Sequence, residues 1–180
     1  MISTLFRFML KNALPLLAAA SLLAACSPEH NWRELDVADG RVRAAFPARV
    51  QTETRELALG GKTLRFSLTA AEVNQAVYAV GYAPLPASVA GDAAASQALA
   101  GALVQSLYAN LGADAPDTLP AMGQDIEVHG QAANAGARSW MLARVWVANG
   151  MLIEAVAAGA ENKLAPERAR EFMNGVRVHR

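Results

Sequence analysis

Alternating apolar and polar residues flank three short polar pairs along this chain. "ELDVADGRVRAAF" carries Asp39-Gly40 between two such runs, "RELALGGKTLRFSLT" carries Gly60-Gly61, and "WMLARVWVANGMLIEAVAAG" carries Asn149-Gly150. A period of two sends successive side chains to opposite faces of a strand, and pairs of this kind supply the positive φ angles of type I′ turns. Each therefore predicts a β-hairpin. The third signal is the strongest, because Val145, Trp146, Val147, Met151, Leu152 and Ile153 crowd both sides of its turn. Further strands are predicted at Asn74–Tyr82 and Gln124–Gln131, with "QAANAGARSW" turning the latter into a long strand that begins near Ala137. Pro47 ends the second strand, since proline has no N–H to give a ladder.

Two stretches follow a helical period instead. In Asp92–Leu111, Leu99, Leu103 and Leu107 recur every fourth residue, and Ala95, Ala102 and Ser106 widen the stripe. Asp92 suits the N-cap and Gly112 the position past the end. The second helix is predicted over Ala165–Asn174, with Pro166 in its first turn, Gly175 as its stop and Ala169, Phe172 and Met173 facing inward. "VRVHR" adds a terminal strand. The order is several strands, a long helix, a three-strand meander and a short helix. That predicts an α+β fold, an antiparallel sheet meander with one long and one short helix packed on it.

The N-terminus has a different pattern. Met1–Asn12 holds Arg7 and Lys11 and no acid, and Ala13–Ala25, "ALPLLAAASLLAA", has no charge at all. A basic segment before a short apolar one is the form of a secretory signal. As a helix the apolar run spans about 20 Å, against about 30 Å for a bilayer core. Extending it to Met1 buries Arg7 and Lys11, at about 2.5–3.5 kcal/mol for a central basic residue. A permanent membrane span is the weaker reading. Cleavage after Ala18-Ala19-Ala20 leaves only "ALPLL" as the apolar segment.

The run closes on Leu23-Ala24-Ala25-Cys26, which contains the only cysteine of the chain. It resembles the lipobox of bacterial lipoproteins: a branched apolar residue, two small residues and a cysteine. The resemblance implies cleavage between Ala25 and Cys26, with Cys26 as the lipidated first residue. Two acyl chains hold stably where one is marginal, since each buried CH₂ contributes about 0.8 kcal/mol. A core cysteine is the alternative, but it leaves unexplained why the lone Cys falls where the apolar run ends. Ser27 follows the cysteine. In the lipoprotein pattern an Asp there favours the inner membrane, so the outer membrane is implied, on its periplasmic face, with the periplasmic face of the inner membrane as the alternative. The organisation expected is a signal peptide over 1–25, a short tether over 26–32 and one α+β domain over 33–180.

Composition adds exclusions. Hydrophobic residues make up 53%, which is a globular rather than a disordered composition. Lys plus Arg and Asp plus Glu are equal at 16, so no basic surface for nucleic acid is indicated. One cysteine excludes an internal disulfide framework.

Three segments of the body are similar to the PsbP-like superfamily, relatives of a photosystem extrinsic subunit that include bacterial envelope lipoproteins. They are "GRVRAAFPARVQTETRELALGGKTLRFSL", "QAVYAVGYAPLP" and "ARVWVANGMLIEAVAAG" with "ERAREFMNGVRV". The shared features are an early Phe-Pro, a Tyr-rich strand ending in Pro, an Asn-Gly hairpin and a Phe in a terminal helix. The resemblance implies an antiparallel sheet between helical layers. It implies no activity and carries no functional residue over.

Candidate chemistry is sparse. Asp125, Glu127 and His129 share one strand face, alternating with Ile126, Val128 and Gly130. A divalent-ion site is one reading. A solvated outer face is the plainer one, because same-face residues lie roughly 6.6 Å apart along a strand. Trp140, Arg144 and Trp146 share a face with Leu142. Exposed, that ladder is a possible binding surface; covered by a helix, it is core with a snorkelling arginine. His30 and His179 have no triad partner in view, and no Ser sits in a G-x-S-x-G elbow. "ALGGKT" lacks the first glycine of a phosphate loop and joins two strands. No catalytic residue, metal ligand or cofactor is therefore assigned. The expectation is a non-enzymatic, lipid-anchored envelope protein that binds another envelope component. A small-ligand carrier is the alternative, with a pocket between sheet and long helix lined by Leu99, Leu103, Tyr78 and Tyr82. A hydrolase with scattered residues is the least favoured.

Overall fold

The structure, a computed structural model, describes residues 30–131 and 137–179. The expected signal peptide over 1–25, Cys26 and the expected tether as far as residue 29 lie outside the described residues. The strands are β1 (Arg33–Val37), β2 (Val42–Phe46), β3 (Gln51–Leu59), β4 (Lys62–Val73), β5 (Ala76–Pro84), β6 (Ile126–Gly130), β7 (Ser139–Ala148), β8 (Met151–Ala160) and β9 (Arg177–Val178). The helices are α1 (Ala87–Ala90), α2 (Ala93–Asn110) and α3 (Pro166–Gly175). The fold is α+β with antiparallel sheets, as the pattern predicts. Among the described residues no helix is long and apolar enough to cross a membrane.

A six-stranded sheet runs in the order β3-β4-β5-β8-β7-β6, and a three-stranded one in the order β1-β2-β9. The large sheet is two meanders, β3-β4-β5 and β6-β7-β8, joined where β5 pairs with β8. Two of its turns match expectation. Gly60-Gly61 (φ +54° and +71°) closes Leu59 onto Lys62, and Asn149-Gly150 (φ +50° and +70°) closes Ala148 onto Met151. Asp39-Gly40 differs, since Val37 pairs with Val42 and the loop is four residues, Ala38–Arg41. A further tight turn lies at Asn74-Gln75 (φ +51° and +66°), closing Val73 onto Ala76, so β5 begins two residues later than the predicted strand. Asn tolerates that conformation, but Gln75 offers no glycine signal, which is why the pattern hides it.

Both faces of the large sheet are covered. On one lies α2, with Leu99, Leu103 and Leu107 buried against Leu64, Phe66, Met141 and Val145. Ala100 and Val104 widen that stripe, where Ala95, Ala102 and Ser106 are only half-buried. Asp92 caps α2 by accepting from the backbone N–H of Ala94 (2.8 Å) and Ala95 (3.0 Å). On the other face lie α3 and the small sheet. Phe172 of α3 is fully buried between Phe46 of β2 (5.7 Å between ring centres) and Tyr78 of β5 (5.6 Å). The chain joins this core before β1 begins. Asn31 N–H donates to the Pro47 carbonyl at 2.7 Å, and Trp32 packs edge-on to Tyr78 at 6.0 Å.

Phe172 thus ties the helix, the small sheet and the large sheet together. Phe172→Ala is expected to cost about 3–5 kcal/mol, as buried Phe truncations do, read as a lowered urea midpoint.

Candidate functional site

The ladder Trp140, Arg144 and Trp146 lies on the α3 side of the large sheet. Trp140 is 5% exposed, and its indole N–H donates to the Leu164 carbonyl at 3.0 Å. Arg144 donates through Nε to the Asp125 carboxylate and through Nη1 to the Met173 carbonyl of α3 at 3.3 Å. Its side chain is 22% exposed. Trp146 is half-buried, with Gly123 so close that an added Cβ would lie 2.9 Å from its indole nitrogen. The covered arrangement is therefore the one that forms: a packed face with one arginine reaching along it to a carboxylate.

Asp125, Glu127 and His129 share that same face, but they do not converge. Asp125 is turned to Arg144. His129 stacks on Trp140 (5.9 Å, 14° between planes) and bridges two carboxylates, Glu127 at 3.0 Å from Nε2 and Glu161 at 3.2 Å from Nδ1. The ring fills the space between the two carboxylates, and when protonated it donates at both nitrogens. Among the described residues no group of three or more His, Cys, Asp or Glu is placed to hold a metal ion. The hydrogen bond to Glu127, then that to Glu161, holds the His129 pKa above its ordinary 6.5. A raised histidine contributes stability that is complete below 6.5 and is lost as pH rises past its folded value. Glu127→Gln and Glu161→Gln are each expected to lower the titration midpoint of the His129 ring, followed by NMR.

The opposite face holds a group that the pattern of the sequence did not single out. Glu154 sits in β8, where the alternation sends Ile153 and Ala155 toward α3 and Glu154 toward α2. It is only 8% exposed, and its Oε2 is buried without a hydrogen-bond partner among the described residues. Its neighbours across the sheet are Gly81 on β5 and Val145 on β7. Gly81 leaves the space that Glu154 and Phe66 fill: a Cβ there would lie 2.7 Å from Glu154 Oε1 and 2.6 Å from the Phe66 ring. Glu154 is among the residues that line a cavity of about 440 Å³ between the sheet and the C-terminal half of α2. Phe66, Leu68, Leu103 and Leu107 make its apolar wall. Of the four residues expected to line such a pocket, Leu103 does so. Tyr78 belongs to the core on the other face of the sheet, Tyr82 packs against that core, and Leu99 lies further along the helix.

Burial alone pushes the Glu154 pKa up from 4.5 to about 7. The folded state therefore holds its proton more tightly than the unfolded chain does. The stability this contributes is complete below about 4.5 and is lost as pH rises through about 7. Between pH 5 and pH 8 the wild-type chain is expected to lose on the order of 2–3 kcal/mol from this group. Glu154→Gln removes the loss, and His129 acts equally in both proteins. Urea midpoints of the two at the two pH values provide the check; parallel curves would rule the assignment out.

Comparison with known proteins adds no relative: no family model, no curated protein and no solved structure matches the chain.

Proposed function

We propose that this chain is a lipid-anchored bacterial envelope protein whose task is binding rather than catalysis. One observation carries the reading. The lone cysteine ends an uncharged run that follows Arg7 and Lys11, in the order Leu23-Ala24-Ala25-Cys26. That order matches the requirements of lipoprotein maturation: small residues for an extended approach to a peptidase, then a thiol to carry the diacylglyceryl thioether. The resemblance of the body to the PsbP-like superfamily agrees with a partner-binding role in the envelope. Ser27 after the cysteine favours the outer membrane.

The non-catalytic part is supported by where the polar groups go. Ser96 and Ser106 donate to the carbonyls of Val89 (3.0 Å) and Leu103 (2.7 Å), while Thr52 pairs with Thr69 and Thr54 with Ser67. Hydroxyls engaged in this way have no adjacent base to activate them as nucleophiles. The histidine with the clearest partners is held between two acids that favour its charged form, the opposite of what a general base needs.

The test is covalent. Cys26→Ser is expected to accumulate as an unprocessed precursor, and mass spectrometry of the native protein is expected to show an N-terminus at Cys26 bearing fatty acyl mass. Normal maturation of the variant would contradict the reading.

A further inference from the structure

The cavity over Glu154 combines four features. It is large enough for a small organic molecule. Its wall has an apolar side, with Leu57, Phe66 and Leu68 from the sheet and Leu103 and Leu107 from α2, beside the polar Ser106 and Asn110. A carboxyl more than nine-tenths buried borders it, with one oxygen that has no hydrogen-bond partner among the described residues. No charge among the described residues answers that carboxyl, and burial is the cause of its raised pKa.

On this face β5 offers Ala79, Gly81 and Ala83, β7 offers Met141, Ala143 and Val145, and β4 offers Leu64, Phe66 and Leu68 beside the carboxyl. α2 has no acidic or basic residue between Ala93 and Asn110. β3 brings Glu53 opposite Leu68, and Arg55 and Glu56, both exposed, stand at the cavity mouth. Asn110, the last residue of α2, also lines the cavity, and a helix C-terminus carries partial negative charge. Arg55 and Glu56 offset one another at the mouth, so the sign of the cavity is set by the Glu154 carboxylate and the helix C-terminus beside it, which together favour a cation. A buried charge left unpaired is costly, and a ligand that supplies the partner removes that cost. An anion would meet Glu154 head-on, and a neutral hydrocarbon would leave it unanswered.

We propose that this cavity is a binding site for a small apolar ammonium ion, a primary amine on a short hydrocarbon chain. Its N–H groups donate to the Glu154 carboxylate, and its chain lies between Phe66 and the Leu103–Leu107 stripe. Gly81 makes room for the contact, and Arg55 at the mouth disfavours a second positive charge on the ligand. The site does not depend on how the chain is anchored.

The test uses the full chain in nanodiscs of zwitterionic lipid, titrated with hexylammonium, hexanol and hexanoate while methyl NMR follows Leu68, Leu103 and Leu107. Hexylammonium is expected to give saturable shifts and to bind at least about tenfold more tightly than either analogue, since a charge-assisted hydrogen bond is at stake. Glu154→Gln and Glu154→Leu, both confirmed folded by circular dichroism, are expected to lose that advantage. Wild-type affinity for hexylammonium is expected to rise roughly tenfold from pH 6 to pH 8, as the ionised, binding-competent fraction grows. Equal affinity for the three probes, unchanged hexylammonium binding in both variants, or shifts that do not saturate would each overturn the proposal. The acyl mass on Cys26, read from the same preparation, reports separately on the anchor.

Discussion

The structure depends on covering both faces of a single six-stranded sheet. β5 and β8 lie at its centre and, Glu154 apart, are largely apolar on both sides, so neither can be left against water. One face is closed by α2 through the Leu99, Leu103 and Leu107 stripe. The other needs α3 and the small sheet together, with Phe172 as the common contact. A ring buried among three elements contributes both its apolar area and its tilted aromatic contacts. This double cover also explains why the Trp140–Arg144–Trp146 ladder is packed and not displayed: it falls on a face that α3 must occupy.

The same constraint makes Glu154 unusual. A residue at the centre of a doubly covered sheet is expected to be apolar, and an ionisable one there raises the free energy of the folded state at neutral pH. Gly81 compounds the cost, because a glycine in a strand interior gives up packing of its own. The two departures sit side by side, one supplying the space that the other fills. Local rules broken together, without a gain in packing, mark the places where function is to be sought. Here both departures border one cavity.

Much of the fold was legible in the sequence because its devices are local. Gly60-Gly61 and Asn149-Gly150 announced their hairpins, Asp92 its cap and Pro166 its helix start. Asn74-Gln75 was not legible, since Gln75 adopts a positive φ that the chain around it imposes. The cavity was readable only in outline. Which strand residues face the long helix depends on register: Leu99 and Leu103 lie on the α2 side, whereas Tyr78 and Tyr82 pack on the other face of the sheet. Glu154 left a faint signal, an acid inside "MLIEAVAA", and Gly81 another, a glycine inside "YAVGYAP". Neither identifies its partner until β5 and β8 are aligned.

The junction of β5 with β8 also bears on how the molecule assembles. Each meander is a set of neighbours along the chain, and hairpins of that kind form early and independently. The seam between them joins residues separated by α2 and the whole second meander up to its turn. Loop-closure entropy weighs on that step, as it does on the pairing of β2 with β9, and non-local pairing of this kind slows folding. Until the seam closes, the two half-sheets each expose a bare inner edge, with the unpaired N–H and C=O groups that invite strands from other molecules. The vulnerable moment in the life of this protein is therefore the interval before its two halves meet.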